Sequence, residues 1–263
     1  MEGSEMQAEI IQANAPAHVE IRRVPAGRCL VWLKLGARDL IAMPLASLSY
    51  GLLMAAVGFL IVTVAGDYPH LFTAAVSGFF LAGPFLGIGL YRLSQARESG
   101  EKVALIDSMT AWRRNPWSIG MFGVLLAFIL LSWERISAIL FALFHGTALP
   151  TISGGWTEIL FVAADPLFLM AYLAIGGLLA ALVFSLSVIS LPMLLTGPID
   201  PVTAAIASVA AVRKNPIPLL LWAITIVGLI AIGMLTAFIG LIVTMPLIGH
   251  ATWHAFRDLT IED

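Results

Sequence analysis

Long apolar runs alternate with short polar and basic segments along this chain of 263 residues. A helix needs about 20 predominantly apolar residues to cross the hydrocarbon core of a bilayer. Six runs meet that requirement, so the pattern predicts six membrane-spanning helices, the last two joined by a tight turn near Gly233. Their predicted ranges are 44–65, 71–93, 116 to between 133 and 143, a start between 161 and 166 to 195, 216–232 and 236–256.

The end of the third span has two interpretations. The helix that begins at Pro116 either stops near Trp133, with residues 136–144 lying along the membrane surface, or runs on through that segment. Eighteen residues of helix rise ~27 Å, which is close to the thickness of the hydrocarbon core. We therefore expect Glu134 and Arg135 at or near the far surface in either interpretation.

The returning spans of the predicted hairpins contain glycine and proline. In the second span the pair Gly83-Pro84 predicts a kink, and Gly83 with Gly87 predicts a face for close approach of a neighbouring helix. The fourth span is long for one helix. It has three residues at which it can bend, namely Gly176, Gly177 and Pro192.

The three odd-numbered spans each follow a polar segment with helical periodicity. In the first segment, 28–42, Lys34 and Arg38 share one face. The apolar side chains of another face are Leu33, Ala37, Leu40 and Ile41. A basic amphipathic helix directly before a span is typical of a helix at the membrane interface. The segment before the third span has apolar side chains at the same spacing, namely Leu105, Ile106, Met109 and Trp112. Before the fifth span, Asp200 is a favourable N-cap for a helix over 201–214.

An Asn-Pro pair marks the start of the third and the fifth span. An asparagine can accept a hydrogen bond from a free N–H group of the first turn, and proline there loses nothing by lacking a donor. The basic residues before each pair would lie at the level of anionic headgroups. They are interpreted as capping and topology devices or, alternatively, as a site for a phospholipid or another anionic ligand. The residues of that candidate headgroup site are Arg113, Arg114, Asn115, Arg213, Lys214 and Asn215.

The same order of elements occurs three times. Each unit has an interfacial helix, a span that begins at a proline and a returning span with a proline of its own, over about 28–95, 100–196 and 200–257. Hairpins of one orientation pack as parallel repeats about an axis along the membrane normal. The predicted fold is an all-α integral membrane protein with six transmembrane helices, arranged as three parallel helical hairpins, each preceded by a cytoplasmic amphipathic interfacial helix. It forms a single domain over 26–260, after a polar N-terminal tail, 1–25, that we expect to be disordered.

Composition places the chain outside the range of soluble proteins. It is 60% hydrophobic and 11% charged, whereas about a quarter of the residues of soluble domains are charged. Thirteen of its fourteen Lys and Arg residues fall on the side of the chain termini, and Arg135 is the exception. The positive-inside rule therefore predicts that both termini are cytoplasmic. The single cysteine, Cys29, excludes an intrachain disulfide.

Four short sequences carry a resemblance to a known family. They are Arg38-Asp39 with Pro44-Leu45-Ala46-Ser47-Leu48, Gly83-Pro84 followed by Gly89-Leu90-Tyr91, Trp112-Arg113-Arg114-Asn115-Pro116, and Gly249-His250-Ala251-Thr252-Trp253-His254-Ala255. From about Trp32 to Leu259 the chain resembles uncharacterised bacterial integral membrane proteins that form a domain of unknown function, some of them labelled as cytochrome c oxidase subunits. The resemblance implies a six-span, multi-pass fold in the bacterial inner membrane. It implies no activity and no catalytic residue, since none is established for that family.

His250 and His254 are the candidates for a metal site. They are four residues apart and share a face of the sixth helix, a spacing that can bind a metal or, with a partner subunit, a haem. Beside Trp253 and Arg257 at a membrane interface, such histidines are more often amphipathic anchors. Asp258 is the only carboxylate nearby, so the metal pattern is weak.

Known catalytic patterns are missing from the sequence. It has no Walker loop, dinucleotide-binding fingerprint, Gly-x-Ser-x-Gly or zinc-protease pattern. We therefore expect no enzymatic activity, no cofactor and no nucleic-acid partner.

Ionisable residues inside a span usually mark a transport pathway, and few occur here. Glu134, Arg135 and Asp165 come nearest, and all three are predicted to lie close to the outer surface. The favoured interpretation is a structural ion pair of Arg135 with Glu134 or Asp165. Gating or substrate binding is the alternative.

Two functions fit these observations. An apolar body without a polar pathway is typical of an accessory, assembly or stabilising subunit of a larger membrane complex, such as a respiratory complex. Its partners would be the other subunits and the lipid bilayer. Parallel repeats, kinked returning spans and basic interfacial segments favour a transporter or a lipid-handling protein. A bis-histidine haem or metal protein is a third alternative.

Overall fold

The chain folds into helices joined by short turns, and a two-stranded ribbon pairs its two ends. The structure, a computed structural model, describes residues 19–65, 69–146 and 165–261. The strands are β1 (Glu20–Ile21) and β2 (Thr260–Ile261). The helices are α1 (Arg28–Ala42), α2 (Pro44–Ala65), α3 (Pro69–Ser99), α4 (Leu105–Met109), α5 (Pro116–His145), α6 (Pro166–Ser187), α7 (Ser190–Thr196), α8 (Pro201–Lys214), α9 (Pro216–Leu235) and α10 (Leu241–Leu259). A 3₁₀ turn over Ala111–Arg114 lies between α4 and α5.

Four helical stretches in the described part of the chain are long and apolar enough to cross a bilayer. They are α2 over Pro44–Val64, α5, the stretch Pro166–Thr196 that comprises α6 and α7, and α9. Helices α3 and α10 fall outside this group. The C-terminal half of α10 carries polar residues, and this helix packs against α1, α2, α3 and α9, where such residues find partners. The all-α membrane class is as predicted, whereas the six spans and the repeat packing stay predictions.

The helix starts predicted at prolines are confirmed. Helices α2, α5, α8 and α9 each begin at a proline. Asp200 caps α8, because its carboxylate accepts hydrogen bonds from the N–H groups of Val202 and Thr203 at 2.9 Å each. Asn115 caps α5 by accepting a hydrogen bond from the N–H group of Ser118 at 3.4 Å.

Helix α5 is continuous from Pro116 to His145, so the longer interpretation of the third span is confirmed and a stop near Trp133 is wrong. No proline or glycine follows Trp133 until Gly146. Gly146 then ends the helix with a φ of 81°, a conformation that favours glycine. Thirty residues of helix are ~45 Å long, which exceeds the thickness of the hydrocarbon core.

The long fourth span is interrupted at Val188 and Ile189, between α6 and α7. Gly176 and Gly177 lie inside α6 and do not end it. Pro192 accounts for the break, because it has no N–H to donate to the carbonyl four residues earlier, which belongs to Val188.

The turn between α9 and α10 lies at residues 236–240, so its predicted position near Gly233 is wrong. Gly233 is buried inside α9, where a side chain would collide with the start of α10. Ala237 and Phe238 have positive φ angles of 52° and 67°, which are strained for residues with side chains. Phe238 is held there by packing edge to face against Phe79, with ring centroids 6.2 Å apart.

Helix α1 packs on α10 through a face other than the predicted one. Its buried residues are Cys29, Trp32, Gly36 and Asp39. Of the predicted apolar face, Ile41 is exposed. The close approach depends on Gly36, since a Cβ there would lie 2.7 Å from the backbone nitrogen of Ala251. Helix α1, which is predicted to be interfacial, is therefore part of the packed core.

A short ribbon joins the two ends of the described chain. Strand β1 pairs antiparallel with β2, with Glu20 opposite Ile261 and Ile21 opposite Thr260. The end of the predicted tail thus packs on the domain, while residues 1–18 lie outside the described residues. The predicted loop around Trp156 also lies outside them.

Buried side chains from β1, α1, α3, α5, α7, α8, α9 and α10 form one contiguous hydrophobic cluster. At its centre Trp32 and Trp222 pack edge to face, with ring centroids 5.8 Å apart. The single domain over 26–260 stays a prediction.

Candidate functional site

Five polar side chains from four helices meet at the basic end of the bundle, which we define as the end carrying α1, α4 and α8. We call them the polar cluster, and they are Asp39 on α1, Ser47 on α2, Ser94 on α3, and His250 and His254 on α10. All except His254 are at most 2% exposed. The spacing of four residues places both histidines on one face of α10, as predicted.

His250 is held between two serines. Its Nδ1 lies 2.7 Å from Ser94 Oγ, and its Nε2 lies 2.8 Å from Ser47 Oγ. Ser94 donates its own proton to Asp39 Oδ2 at 2.6 Å, so it can only accept from the ring. The network therefore assigns the proton of the neutral ring to Nδ1, with Nε2 accepting from the Ser47 hydroxyl.

The Asp39 carboxylate accepts hydrogen bonds from three side chains. Besides Ser94, the Nε2 of His254 lies 2.8 Å from Oδ2, and Arg97 Nη1 donates to Oδ1. Burial by itself raises the pKa of an aspartate, but the three donors and the charge of the His254 ring hold the pKa of Asp39 below its ordinary value of 3.8. A buried, ionised carboxylate thus links α1 to α3 and α10.

His254 lies between two carboxylates. Its Nδ1 is 3.4 Å from Glu98 Oε1, on the side opposite to Asp39. Arg257 Nε lies 3.5 Å from the other oxygen of Glu98. Acidic and basic side chains therefore alternate across this end of the bundle, in the order Asp39, His254, Glu98 and Arg257.

The predicted metal ligands have other partners in this arrangement. All four ring nitrogens of His250 and His254 lie within reach of protein side chains, so a metal would have to replace those contacts. Across the residues described, no group of three or more His, Cys, Asp or Glu is placed to hold a metal ion. Metal ligation stays a prediction, while the interpretation of His250 as an interfacial anchor is wrong because its ring is fully buried.

Sequence reasoning does not single out Asp39, Ser47 or Ser94. A partial signal exists for the first two, because they lie in the short sequences that carry the family resemblance, as both histidines do. Ser94 gives no such signal.

Asp258 forms a second link between α1 and α10. Its carboxylate accepts from Arg28 Nε at 2.6 Å and Arg28 Nη2 at 2.8 Å, and from the indole N–H of Trp32 at 2.8 Å. The hydrogen bond to Asp258 raises the pKa of Arg28 above its ordinary value. Asp258 is therefore a partner of α1 rather than a neighbour of the histidines.

The first half of the candidate headgroup site lies around the start of α5. Arg113 is exposed and lies over the ring of Trp112, 5.6 Å from its centroid. Arg114 Nη1 donates to Gln95 Oε1 at 3.2 Å. The Asn115 amide donates to the carbonyl groups of residues 197 and 199 at 3.3 and 3.0 Å, which ties α5 to the end of α7.

In the second half of the candidate headgroup site, residues 213–215, two side chains form hydrogen bonds to the backbone of the N-terminal segment, residues 21–24. Asn215 is 2% exposed; its amide donates to the Arg22 carbonyl at 2.9 Å and its Oδ1 accepts from the Val24 N–H at 2.8 Å. The prediction that its side chain caps the next helix is therefore wrong. Lys214 Nζ donates to the Ile21 carbonyl at 2.6 Å, and Arg213 is exposed. Headgroup contact stays a prediction, now resting on the exposed arginines.

Asp165 caps α6, since its Oδ1 accepts from the N–H groups of Leu167 and Phe168 at 3.0 and 3.1 Å. It is a capping residue rather than the predicted partner of Arg135.

A cavity of about 630 Å³ lies among the long helices. Side chains of α2, α3, α5, α6, α7, α9 and α10 form its wall, so all three predicted repeat units contribute. The wall is almost entirely apolar; its polar exceptions are Tyr91, Trp133, Ser187, Trp222 and Thr252.

Glycines make room for this cavity. A Cβ at Gly83 would meet nothing within 4 Å, so the predicted close approach of a neighbouring helix there is wrong. Gly83 and Gly87 border the cavity instead, and Pro84 lies inside α3 without ending it. Glycine in an otherwise apolar span is thus the signal in the sequence that marks this space.

These features define a class, an all-α integral membrane protein with an apolar cavity among its helices. Residues 71–196, from α3 to the end of α7, match the model of a family described as a predicted integral membrane protein, DUF2189. The predicted resemblance to an uncharacterised membrane family is thereby confirmed. Of the polar cluster, only Ser94 lies within the matched residues. No curated protein and no solved structure matches the chain.

Proposed function

We propose that the protein is a lipid-handling membrane protein that binds an apolar chain in the cavity among its helices. The observation that carries this proposal is the cavity itself, of about 630 Å³. Small-molecule sites typically measure about 300–1,000 Å³ and are lined mainly by apolar side chains with a few polar groups. The wall described above has that character.

The surroundings of the cavity favour a lipid over a water-soluble ligand. The cavity lies among helices apolar enough to cross a bilayer, so the molecules at hand are those dissolved in the bilayer. Among the described residues that line it, Tyr91 is the only ionisable one. A charged or strongly polar substrate would find no compensating charge there.

We propose that a route from the bilayer lies between α6 and α9. Both helices line the cavity, but they are not among the packed helix pairs of the described residues. Ala180 of α6 lines the cavity and is exposed, which supports an opening of the cavity beside α6. A lipid chain can enter there without crossing a polar surface.

The membrane arrangement belongs to the same proposal. We propose six spans with both termini in the cytoplasm of a bacterial cell, with the protein in the inner membrane. Helices α3 and α10 would be the returning spans of the first and third units. The distribution of Lys and Arg supports this orientation.

Lipid retention through purification tests the proposal. The protein is purified in a mild detergent with repeated exchange, and native mass spectrometry counts the molecules that stay bound. Gly83→Leu fills the cavity, since Gly83 lines it and has free space where the side chain would go. Gly228→Leu is the matched control, because this exposed glycine also has free space but does not line the cavity.

We expect the wild-type protein and Gly228→Leu to keep a bound lipid and Gly83→Leu to lose most of it. Equal retention by all three proteins, or none by the wild type, would overturn the proposal. The accessory-subunit role stays a prediction from the sequence. The same purification tests it, because protein partners at fixed stoichiometry would support it.

A further inference from the structure

The hydroxyl of Tyr91 is a hydrogen-bond donor without a partner at the wall of the cavity. Tyr91 lines the cavity and is 7% exposed. Its hydroxyl lies against Gly87, where a Cβ would come within 2.8 Å of it. Among the described residues this hydroxyl has no hydrogen-bond partner. A polar group that borders an apolar cavity without a partner among the described residues points to a ligand. The indole N–H of Trp222 is a second such group at the same wall.

The other hydroxyl groups of the wall are already paired. Ser187 Oγ donates to the Val183 carbonyl at 2.7 Å, and Thr252 Oγ1 donates to the Ile248 carbonyl at 2.8 Å. Neither has a proton left to offer a ligand. Tyr91 is thus the hydroxyl of the described wall that can donate.

The position of Tyr91 along the membrane axis gives the ligand an orientation. The next residue, Arg92, pairs with Glu101 at the basic end, so Tyr91 lies near the level of the headgroups. In the same helix Phe79 lies ~18 Å further from that end. There the wall is apolar, with Phe79, Phe80, Ile230 and Leu241. The cavity therefore suits a molecule with an acceptor at the basic end and an apolar chain towards the other.

We propose that the ligand is the acyl chain of a membrane lipid, whose ester carbonyl accepts a hydrogen bond from the Tyr91 hydroxyl. This assignment rests on the proposed function. An ester carbonyl accepts and cannot donate, which matches a wall whose unpaired polar groups, the Tyr91 hydroxyl and the Trp222 indole N–H, can both donate. An ester carbonyl also lies at the junction of headgroup and chain. The donor fixes how far the chain enters, and the apolar wall holds the rest of it.

Two probes of equal chain length separate the roles of the carbonyl and the chain. Tritiated methyl hexadecanoate has an ester carbonyl and hexadecane has none. Each is added to delipidated full-length protein in micelles, and the amount held beyond protein-free micelles gives its affinity. The variants are Tyr91→Phe and, as matched control, Tyr172→Phe, since Tyr172 does not line the cavity.

We expect Tyr91→Phe to weaken binding of methyl hexadecanoate by about threefold to tenfold, the effect of one neutral hydrogen bond. Its affinity for hexadecane, and both affinities of Tyr172→Phe, should stay unchanged. Unchanged binding of both probes by Tyr91→Phe, or equal loss of both, would overturn the assignment and leave the proposed function standing. Wild-type protein that holds neither probe would overturn the proposed function as well.

Discussion

Asp39 on α1 and His254 on α10 are 215 residues apart in the chain, yet Asp39 Oδ2 lies 2.8 Å from His254 Nε2. The same carboxylate oxygen accepts from Ser94 on α3. The buried Asp39 carboxylate therefore links α1 to both α3 and α10. Removal of its charge should release α1 first.

Asp39→Asn tests this role. An amide has one acceptor oxygen in place of the two carboxylate oxygens, and it leaves Arg97 and His254 without their ion pair. Loss of one partner of a buried ion pair costs about 3–5 kcal/mol. The single cysteine, Cys29, is buried in α1 and reports the release. We expect Asp39→Asn to raise the rate at which a maleimide labels Cys29.

Asp107→Asn is the control, because Asp107 is an exposed aspartate on α4. Its labelling rate should match that of the wild type. Equal rates for the wild type and Asp39→Asn would show that the carboxylate does not hold α1.

Acid should destabilise the protein through the same group. The folded-state pKa of Asp39 lies below the ordinary value of 3.8, so the ionised form favours folding. Its contribution is fully present above 3.8 and is lost as the pH falls through the lower folded-state pKa. The groups facing the carboxylate directly or through one neighbour are Arg97, His254, Ser94, His250 and Glu98.

Unfolding temperatures from neutral pH down to about pH 2 measure this contribution. We expect the unfolding temperature to fall at acid pH, and to fall less in Asp39→Asn than in the wild type because the variant lacks the titrating carboxylate. Parallel curves for the two proteins would contradict the prediction.

Gly51→Ala should destabilise the contact of α2 with α10. A Cβ at Gly51 would collide with the backbone carbonyl of Ile242, which cannot move aside as a side chain can. Overpacking of this kind costs about 1–3 kcal/mol. We expect a lower unfolding temperature in detergent. Gly120→Ala is the control, because Gly120 is exposed and a Cβ added there would meet nothing within 4 Å. This variant should keep the wild-type unfolding temperature.

Local chemistry made parts of the fold predictable. Helices α2, α5, α8 and α9 each begin at a proline. For α5 and α8 the preceding residue, Asn115 or Asp200, also caps the helix, because its side chain accepts a hydrogen bond from an N–H group three residues later. The break at Val188 follows from Pro192, four residues away. The predicted position of the turn after α9 is wrong, because the turn uses Ala237 and Phe238 at positive φ instead of the glycine that such turns favour.

The candidate site was harder to predict because its partners are distant in sequence. The histidines of α10 were singled out for a metal, but their partners come from α1, α2 and α3. Periodicity predicts the amphipathic character of α1 but not the face that packs on α10, because that contact depends on the close approach of Gly36 to Ala251. The cavity is a gap between helices, and no local pattern states its size.

Asn215→Ala should free the N-terminal segment. Asn215 pairs with the Arg22 carbonyl and the Val24 N–H, and its removal leaves these backbone groups without a partner. An unsatisfied buried group costs about 1–3 kcal/mol. Arg22 and Arg23 are exposed, so trypsin should cleave after them faster in this variant.

The control for that experiment is Asn115→Ala. Its amide donates to the carbonyls of Gly197 and Ile199, far from the N-terminal segment. Cleavage at Arg22 and Arg23 should keep the wild-type rate. Faster cleavage in both variants would mean that the assay reports a general loss of stability rather than the loss of the Asn215 hydrogen bonds to the N-terminal segment.

Arg113→Gln and Arg213→Gln test the predicted headgroup contact. Both arginines are exposed beside the start of a span. A basic residue near an anionic surface contributes about 1 kcal/mol, and salt screens this attraction. In nanodiscs of mixed lipids, we expect each variant to lower the preference for spin-labelled phosphatidylglycerol over phosphatidylcholine, most clearly at low salt. Arg135→Gln is the control, since Arg135 is predicted to lie at the opposite surface. A loss of preference as large in Arg135→Gln would place the anionic lipid elsewhere and leave the arginines before α5 and α9 as topology devices.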